Sequence, residues 1–551
     1  MKIRPTVLAG LLPPLGAGAL LVLLARRYDF FCDDAFITLR YARNLAEHGA
    51  PVYNLGERVE GYTSFIWMVL SAVGYAFGAP PTRWVQVLGA AAGIGLLLAT
   101  WRLWRGLHPD RAALGVLVLI ALAVSAPVAA WTMGGLETPL FAALTTASFA
   151  LALDVARAPV RARAIALGVV LALCTLTRPE GALVAAATLA PLTVALARTR
   201  PGRAALAWAA ASAVLIVSVH LAWRWSYYGY PLPNTFYVKS SGDTSLLRAR
   251  GARYVAFAAR ELGPGMVVAV ALGLLGASSA RAGSRESQPS RRLLAWIARA
   301  FVPAYVVYIA LVGGDFLDLY RFFVPLLPLV LVLAGSLLAG SAHAFARGKA
   351  ALALAAVLVA AHAVHQYRLG ERARQVAEPQ RAERGIEPLG WTRLYALRWA
   401  ALGRWIGAHA EPADWMAVGA AGAMPYHAGI RNLDTFGLCD EWVAHHGPIV
   451  GHRPGHQRFA PESYILQKRP AFLLIGNDYS SDTPRALRRD RRWEARGYVW
   501  AEARIDAARF GAPRSFHHYL LMRRDRAEQH AGSRFLRFAP AKQTRTAVTA
   551  P

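Results

Sequence analysis

The sequence predicts a polytopic α-helical membrane protein with a C-terminal soluble α/β domain, on three observations. Of 551 residues, 55% are hydrophobic and only 17% charged. Mean hydropathy is positive, at +0.31. Such a balance belongs to chains that live in a bilayer. The long apolar runs are rich in Ala, Leu and Val, which suits packed membrane helices better than a β-barrel. From about Tyr367 those runs stop, and short apolar strands alternate with helix-like stretches.

The first run, Leu8 to Leu24, follows the basic residues Lys2 and Arg4. It lacks a small-x-small cleavage site before the next polar residues and reads as an uncleaved first span. Ten further spans are expected, near 84–101, 112–130, 138–156, 162–178, 181–197, 204–223, 262–280, 294–312, 322–340 and 350–366. Together they make about eleven transmembrane helices within residues 1–367.

Basic loops orient the bundle, because cytoplasmic loops collect Lys and Arg. Arg102, Arg105 and Arg111 mark one such loop, and Arg157, Arg161 and Arg163 another. Arg198, Arg200 and Arg203 mark a third, Arg281, Arg285, Arg291 and Arg292 a fourth, and Arg347 with Lys349 a fifth. The segment 84–101 must then start outside, where the first span also delivers the chain. The apolar stretch Thr63 to Phe77 therefore cannot cross fully and is expected to lie in the outer interface or re-enter it. This parity puts the N-terminus in the cytoplasm and residues 28–83 in an outer loop with juxtamembrane helices. It puts 368–551 on the outer face.

In that outer domain, Trp415 to Val418, Phe472 to Ile475 and Tyr519 to Met522 read as strands, and Thr392 to His409 as a helix. The tail beyond about Ala527 has the composition of a disordered segment. Cys32, Cys174 and Cys439 form neither a metal nor a disulfide framework. The net charge of +28 does not make this a nucleic-acid binder, since the basic residues sit in loops between apolar runs.

The chemistry concentrates in the outer loops. FCDDAFITLRYARNL carries Asp33 and Asp34 just after the first span. Adjacent residues on a helix do not share a face, so the two carboxylates should differ in role. Either is also placed to cap the following helix. Tyr53 to Ser64, YNLGERVEGYTS, adds Glu57, Arg58, Glu60 and Tyr62. Downstream come GGLET with Glu137, TRPEG with Arg178 and Glu180, YYGYPLPNTFYVK with Asn234 and Lys239, and GGDFLDLYRF with Asp315, Asp318 and Arg321. Charges so close to lipid depth are costly unless paired or functional. Arg178 with Glu180, and Arg321 with Asp315 or Asp318, also suit structural pairs. The cations Arg58, Lys239, Arg321 and Arg178 suit a phosphate. In the C-terminal region, NLDTFGLCDEWVAHH and GHRPGH gather Asp434, Asp440, His445, His446, His452 and His456 without a metal-ligand spacing. Surface recognition, with Trp442 and His446 as its candidates, or loop structure is the expectation there, with no metal assigned.

These motifs resemble the terminal β-(1→2)-arabinofuranosyltransferase family of mycobacterial cell-wall synthesis and its bacterial relatives. DDAFITLRYARNL, GERVEGYTS, GLET, TRPEG, PNTFYVK, GGDF with RF, and LDTFGLCDEWVAH occur in the same order along the chain. The resemblance implies a GT-C glycosyltransferase fold and a sugar, arabinofuranose among the candidates, moved from a polyprenyl-phosphate donor to a glycan or lipid acceptor. It implies an aspartate base in the first outer loop, a role that falls on Asp33 or Asp34. Donor phosphate contacts fall to Arg58, Lys239, Arg321 and Arg178. Other substrate contacts fall to Glu57, Glu60, Tyr62, Glu137, Asn234, Asp315 and His446. No cofactor is assigned, and a divalent cation stays open. A transporter or flippase of lipid-linked sugars is the alternative, which the near absence of ionisable residues from the span interiors disfavours.

Overall fold

The computed structural model describes residues 5–263, 288–341, 348–375, 386–451, 453, 455–474, 493–505, 516–532 and 536–538. They fall into two compact units: Met1–Arg393 with Gly451–Gln457, and Leu394–Val450 with Arg458–Pro551. The division expected near residue 367 thus lies at Arg393. A continuous helix, Gly348–Gln375, runs through Tyr367. Beyond it, Glu387 is tied to the first unit by its backbone N–H, which donates to the Phe316 carbonyl at 2.6 Å.

The first unit is helical. In chain order its helices are α1 (Pro5–Arg26), α2 (Asp33–His48), α3 (Phe65–Ala76), α4 (Pro81–Leu107), α5 (Ala112–Val124), α6 (Ala126–Met133), α7 (Thr138–Arg157) and α8 (Arg161–Thr177). There follow α9 (Gly181–Leu196), α10 (Arg200–Tyr228), α11 (Asn234–Lys239), α12 (Thr244–Glu261), α13 (Gln288–Leu311), α14 (Leu327–Ser341) and α15 (Gly348–Gln375). A 3₁₀ turn, Arg321–Leu326, leads into α14. Among the described residues six helices are long and apolar enough to cross a membrane, or seven if α5 and α6 form one bent span. This is a multi-pass membrane protein. α4, at 27 residues, is about 40 Å long, enough for the hydrocarbon core.

Two expectations change here. The span predicted over 112–130 is broken at Ser125, where α5 and α6 meet at 58°. Pro127 cannot continue the ladder, and the freed Ala126 N–H donates to the Gln366 side chain at 3.0 Å. Neither Asp33 nor Asp34 caps α2. Cys32 is the cap residue, and both aspartates lie in the first turn, where the helix dipole favours negative charge. The stretch Thr244–Glu261 is α12, and the Asp243 carboxylate caps its start. Thr63 to Phe77 forms α3, a 12-residue helix of about 18 Å, too short to span. Most of the span predicted over 262–280 lies outside the described residues.

Close helix approach depends on missing side chains. A Cβ at Gly89 of α4 would stand 2.1 Å from the Thr132 carbonyl of α6, so only glycine fits. The loop after α2 is fastened to that helix by its own polar groups. Arg40 Nε donates to the Tyr53 carbonyl at 2.7 Å, Asn44 Nδ2 to Val52 at 2.7 Å, and Tyr41 Oη to Val59 at 2.7 Å.

The second unit contains α16 (Leu389–His409, most of it), β1 (Trp415–Val418), α17 (Ala423–Ala428), β2 (Arg431–Asp434), α18 (Glu441–His446), α19 (Glu462–Lys468), β3 (Phe472–Leu473), β4 (Tyr498–Ile505), β5 (Phe516–Arg523), α20 (Arg524–Gln529) and β6 (Leu536–Phe538). The strands form one mixed sheet in the order β2-β1-β3-β5-β4-β6. β1 is parallel to β2 and β3, and the remaining pairs are antiparallel. Ala417, Leu433, Leu473, Trp500 and Leu521 make its core. Of the tail expected to be disordered after Ala527, the described residues complete α20 and contribute β6, which pairs with β4, while 533–535 and 539–551 lie outside the described residues.

Candidate functional site

Four loops meet in the first unit because each is shaped by its own sequence. Gly135, at φ 89°, turns the chain between α6 and α7 and lets Glu137 start α7. TRPEG forms a tight link in which the Gly181 N–H returns to the Arg178 carbonyl at 2.9 Å. Pro233 leads into α11, at whose end Lys239 lies. The segment after α13 turns at Gly313 (φ 85°) and Gly314 (φ 67°), then holds Leu319 (φ 57°) and Tyr320 (φ 49°) in the left-handed region. Two consecutive non-glycine residues there are strained, and such strain gathers where geometry matters to function. The next residue is Arg321.

The cations of these loops are mostly neutralised. Arg178 Nη1 lies 2.6 Å from Glu137 Oε1, and its Nε 2.5 Å from Glu180 Oε1. Tyr308 Oη donates to the other Glu180 oxygen at 3.0 Å. Arg321 pairs with Asp315, and its guanidinium stands 5.3 Å from the Trp131 ring centroid. Asp318, the other carboxylate weighed for Arg321, instead accepts from the Leu319 N–H at 2.6 Å. Glu137, Glu180 and Asp315 are buried, so the arginines share nearly enclosed carboxylates. The negative charge of Glu180 and Glu137 holds the Arg178 guanidinium protonated against its burial.

Two charges in this group stand differently. Among the described residues, neither the Asp34 carboxylate nor the Lys239 ammonium has an ion-pair partner within 4 Å. Asp34 is half-buried and Lys239 is open to solvent. Each is nonetheless surrounded by protein. Burial pushes the Asp34 carboxyl above its ordinary range, against the pull of Arg321, Lys239 and Arg453. Burial likewise lowers the Lys239 ammonium, with Asp34 opposing. A charge that water reaches and protein surrounds lines a recess. Asp33, one position away, is buried and engaged by other groups of the protein.

The remaining candidates occupy other places. Glu60 and Arg224 of α10 form a second, buried pair at 2.8 Å. Tyr62 Oη lies 3.1 Å from Tyr228 Oη beside it, and the Asn234 N–H donates to the Glu60 carbonyl at 2.9 Å. Arg58 stacks 4.8 Å over the Tyr227 ring, and Glu57 accepts from Asn54 at 2.8 Å. His446 belongs to the second unit, where its ring is 5.7 Å from Trp442, which stacks on Tyr464 at 4.3 Å. Asp434 is fully buried there, accepts from the Phe436 and Cys439 N–H groups, and has its pKa pushed up to about 7, chiefly by burial. Among the described residues no three His, Cys, Asp or Glu side chains stand together as metal ligands. His452 lies outside the described residues. Cys32, Cys174 and Cys439 are buried free thiols.

Sequence reasoning missed Arg224 and Arg453. Arg224 announces itself as a guanidinium inside an apolar helix. Arg453 sits in GHRPGH, where the histidines drew the attention.

Comparison with known proteins agrees with this architecture. The family model described as Domain of unknown function (DUF8728) matches residues 386–522. The terminal β-(1→2)-arabinofuranosyltransferase of Mycobacterium tuberculosis (strain ATCC 25618 / H37Rv) is 32% identical over 264 residues, 45% of this chain and 40% of that protein. The chain therefore spans less than half the length of this curated relative. Among solved structures, the apo oligosaccharyltransferase of Archaeoglobus fulgidus superposes with a TM-score of 0.54 at 12% identity, over 84% of this chain and 69% of that one. Apo ArnT from Cupriavidus metallidurans superposes with a TM-score of 0.50 at 14% identity, over 93% and 98%. Identities this low speak to architecture alone, the helical membrane fold that this chain shares with those proteins.

Proposed function

We propose that this protein is a glycosyltransferase that moves a sugar from a polyprenyl-phosphate donor to a hydroxyl of a glycan or lipid acceptor. The observation that carries the reading is the pair of open charges, Asp34 and Lys239, set among arginines that are already neutralised. The curated relative, whose name states arabinofuranosyl transfer, supports arabinofuranose as the first sugar to test. In this reading eleven spans cross a bacterial inner membrane. The N-terminus is cytoplasmic, and the four loops and the second unit lie outside.

Asp34 takes the proton of the acceptor hydroxyl, and that oxygen attacks the anomeric carbon. The bond from the anomeric carbon to the phosphate oxygen breaks, and its electron pair leaves with the polyprenyl phosphate. Lys239 meets the new charge as a point cation, and Arg321 and Arg178 offer the N–H groups their carboxylates do not occupy. A carboxyl held above its usual range binds a proton more readily than an exposed one, as a base requires. Asp33 shapes the helix start rather than touching the acceptor.

Asp34→Asn and Asp33→Asn, assayed in proteoliposomes with labelled polyprenyl-phosphate arabinofuranose, test the assignment. Asp34→Asn should lose about 10²–10⁴-fold in turnover, while Asp33→Asn keeps most of it. Wild-type turnover by Asp34→Asn would remove the base.

A further inference from the structure

The membrane unit recruits a stretch from far along the chain. Residues Gly451–Gln457 leave the second unit's sequence and belong to the first. Two of its side chains touch the segments that carry the candidate site. Gln457 is fully buried. Its Nε2 donates to the Lys239 carbonyl at 3.0 Å, while its Oε1 accepts from the Gly455 N–H at 2.7 Å. Both ends of the amide are thus used, one to close its own turn and one to hold the residue that carries the open ammonium. Arg453 pairs with Glu387 at 2.6 Å and lies 4.3 Å over the Phe316 ring. The Phe316 N–H donates in turn to Asp315, the partner of Arg321. Arg453 is a third exposed and within electrostatic reach of Asp34.

Satisfying Glu387 does not require this placement, because a guanidinium could meet that carboxylate at the surface. Here it sits over Phe316, whose N–H meets the carboxylate partner of Arg321, in the same short segment that fixes Lys239. We infer that Arg453 is a further residue binding the donor phosphate, supplied by the C-terminal part of the chain, and that Gln457 is the positioning residue for Lys239. The inference rests on the donor proposed above. It makes the recess incomplete without residues more than four hundred positions from Asp34. A guanidinium carries five N–H donors in a planar fork, a shape that suits a phosphate.

The experiment measures binding of undecaprenyl phosphate to the full chain in nanodiscs, with melting temperatures recorded alongside. Arg453→Gln should weaken binding about 10- to 100-fold, the loss of one charge-assisted contact, and Arg453→Lys should recover part of it. Glu387→Gln breaks the same ion pair but leaves the cation, so binding should hold or tighten. Gln457→Ala should weaken binding in the wild-type background and add nothing once Lys239 is Ala, since both act through one ammonium. Equal losses in Arg453→Gln and Glu387→Gln would reduce the pair to a structural tie and overturn the inference. Wild-type binding by Arg453→Gln would overturn it while the proposed function stands. If the wild-type protein does not bind the lipid phosphate, the proposed function fails and this inference with it.

Discussion

Two acid–base groups in the membrane unit are built from similar residues and do opposite things. Glu60 and Arg224 are enclosed, 2.8 Å apart, with Tyr62 and Tyr228 against them and Tyr228 Oη donating to the Pro51 carbonyl at 2.6 Å. Asp34 and Lys239 feel each other's charge without forming an ion pair, and water reaches both. The first arrangement spends its charges on each other and ties the loop after α2 to α10 and α11. The second leaves them for something that is not protein. Motif density marked both loops alike, and the difference lies in which charges find a partner inside the fold.

The largest effect expected from breaking this contrast is on stability. Glu60→Ala strands the Arg224 guanidinium in a buried place, and removing one partner of such a pair costs about 3–5 kcal/mol. Unfolding in detergent should show that loss, while transfer per folded molecule changes far less than in Asp34→Asn. A destabilisation as large from Asp34→Asn would erase the distinction.

Lys239→Ala should do the reverse. Its ammonium has little to stabilise within the protein, so melting should move by less than about 1 kcal/mol. The donor KM should rise about 10- to 100-fold, with the loss of a charge-assisted contact. Steady-state kinetics against donor concentration would decide it.

The pH dependence sharpens the comparison further. Burial, offset by Arg224, raises the Glu60 carboxyl from 4.5 to about 7. A raised carboxylate makes the folded state bind a proton that the unfolded state has released. Glu60 therefore lowers stability progressively as pH rises from about 4.5 to about 7, and the effect levels off above. That slope should be absent from Glu60→Gln in a titration of unfolding midpoint against pH.

The smallest effect belongs to Arg58. Its guanidinium stacks on Tyr227 rather than joining the Asp34 group. Arg58→Ala should cost about 0.5–1 kcal/mol of stability and leave the donor KM within about twofold. A tenfold rise in KM would return Arg58 to the phosphate.

What the sequence determined by itself was local. Apolar runs of bilayer length, punctuated by arginines, set out the helices. The hydrophobic run Trp415–Val418 foretold β1. Sharp turns and charges beside lipid-depth segments named Asp34, Lys239, Arg178 and Arg321, because hydropathy and turn chemistry act over a few residues. What only the tertiary structure decided was pairing. That Arg178 binds Glu137, that Arg224 neutralises Glu60, that Gln366 meets the Ala126 N–H at the broken span, and that Arg453 returns from beyond β2 are all contacts between distant segments. Coulomb energy depends on separation in space, which the order of residues does not state.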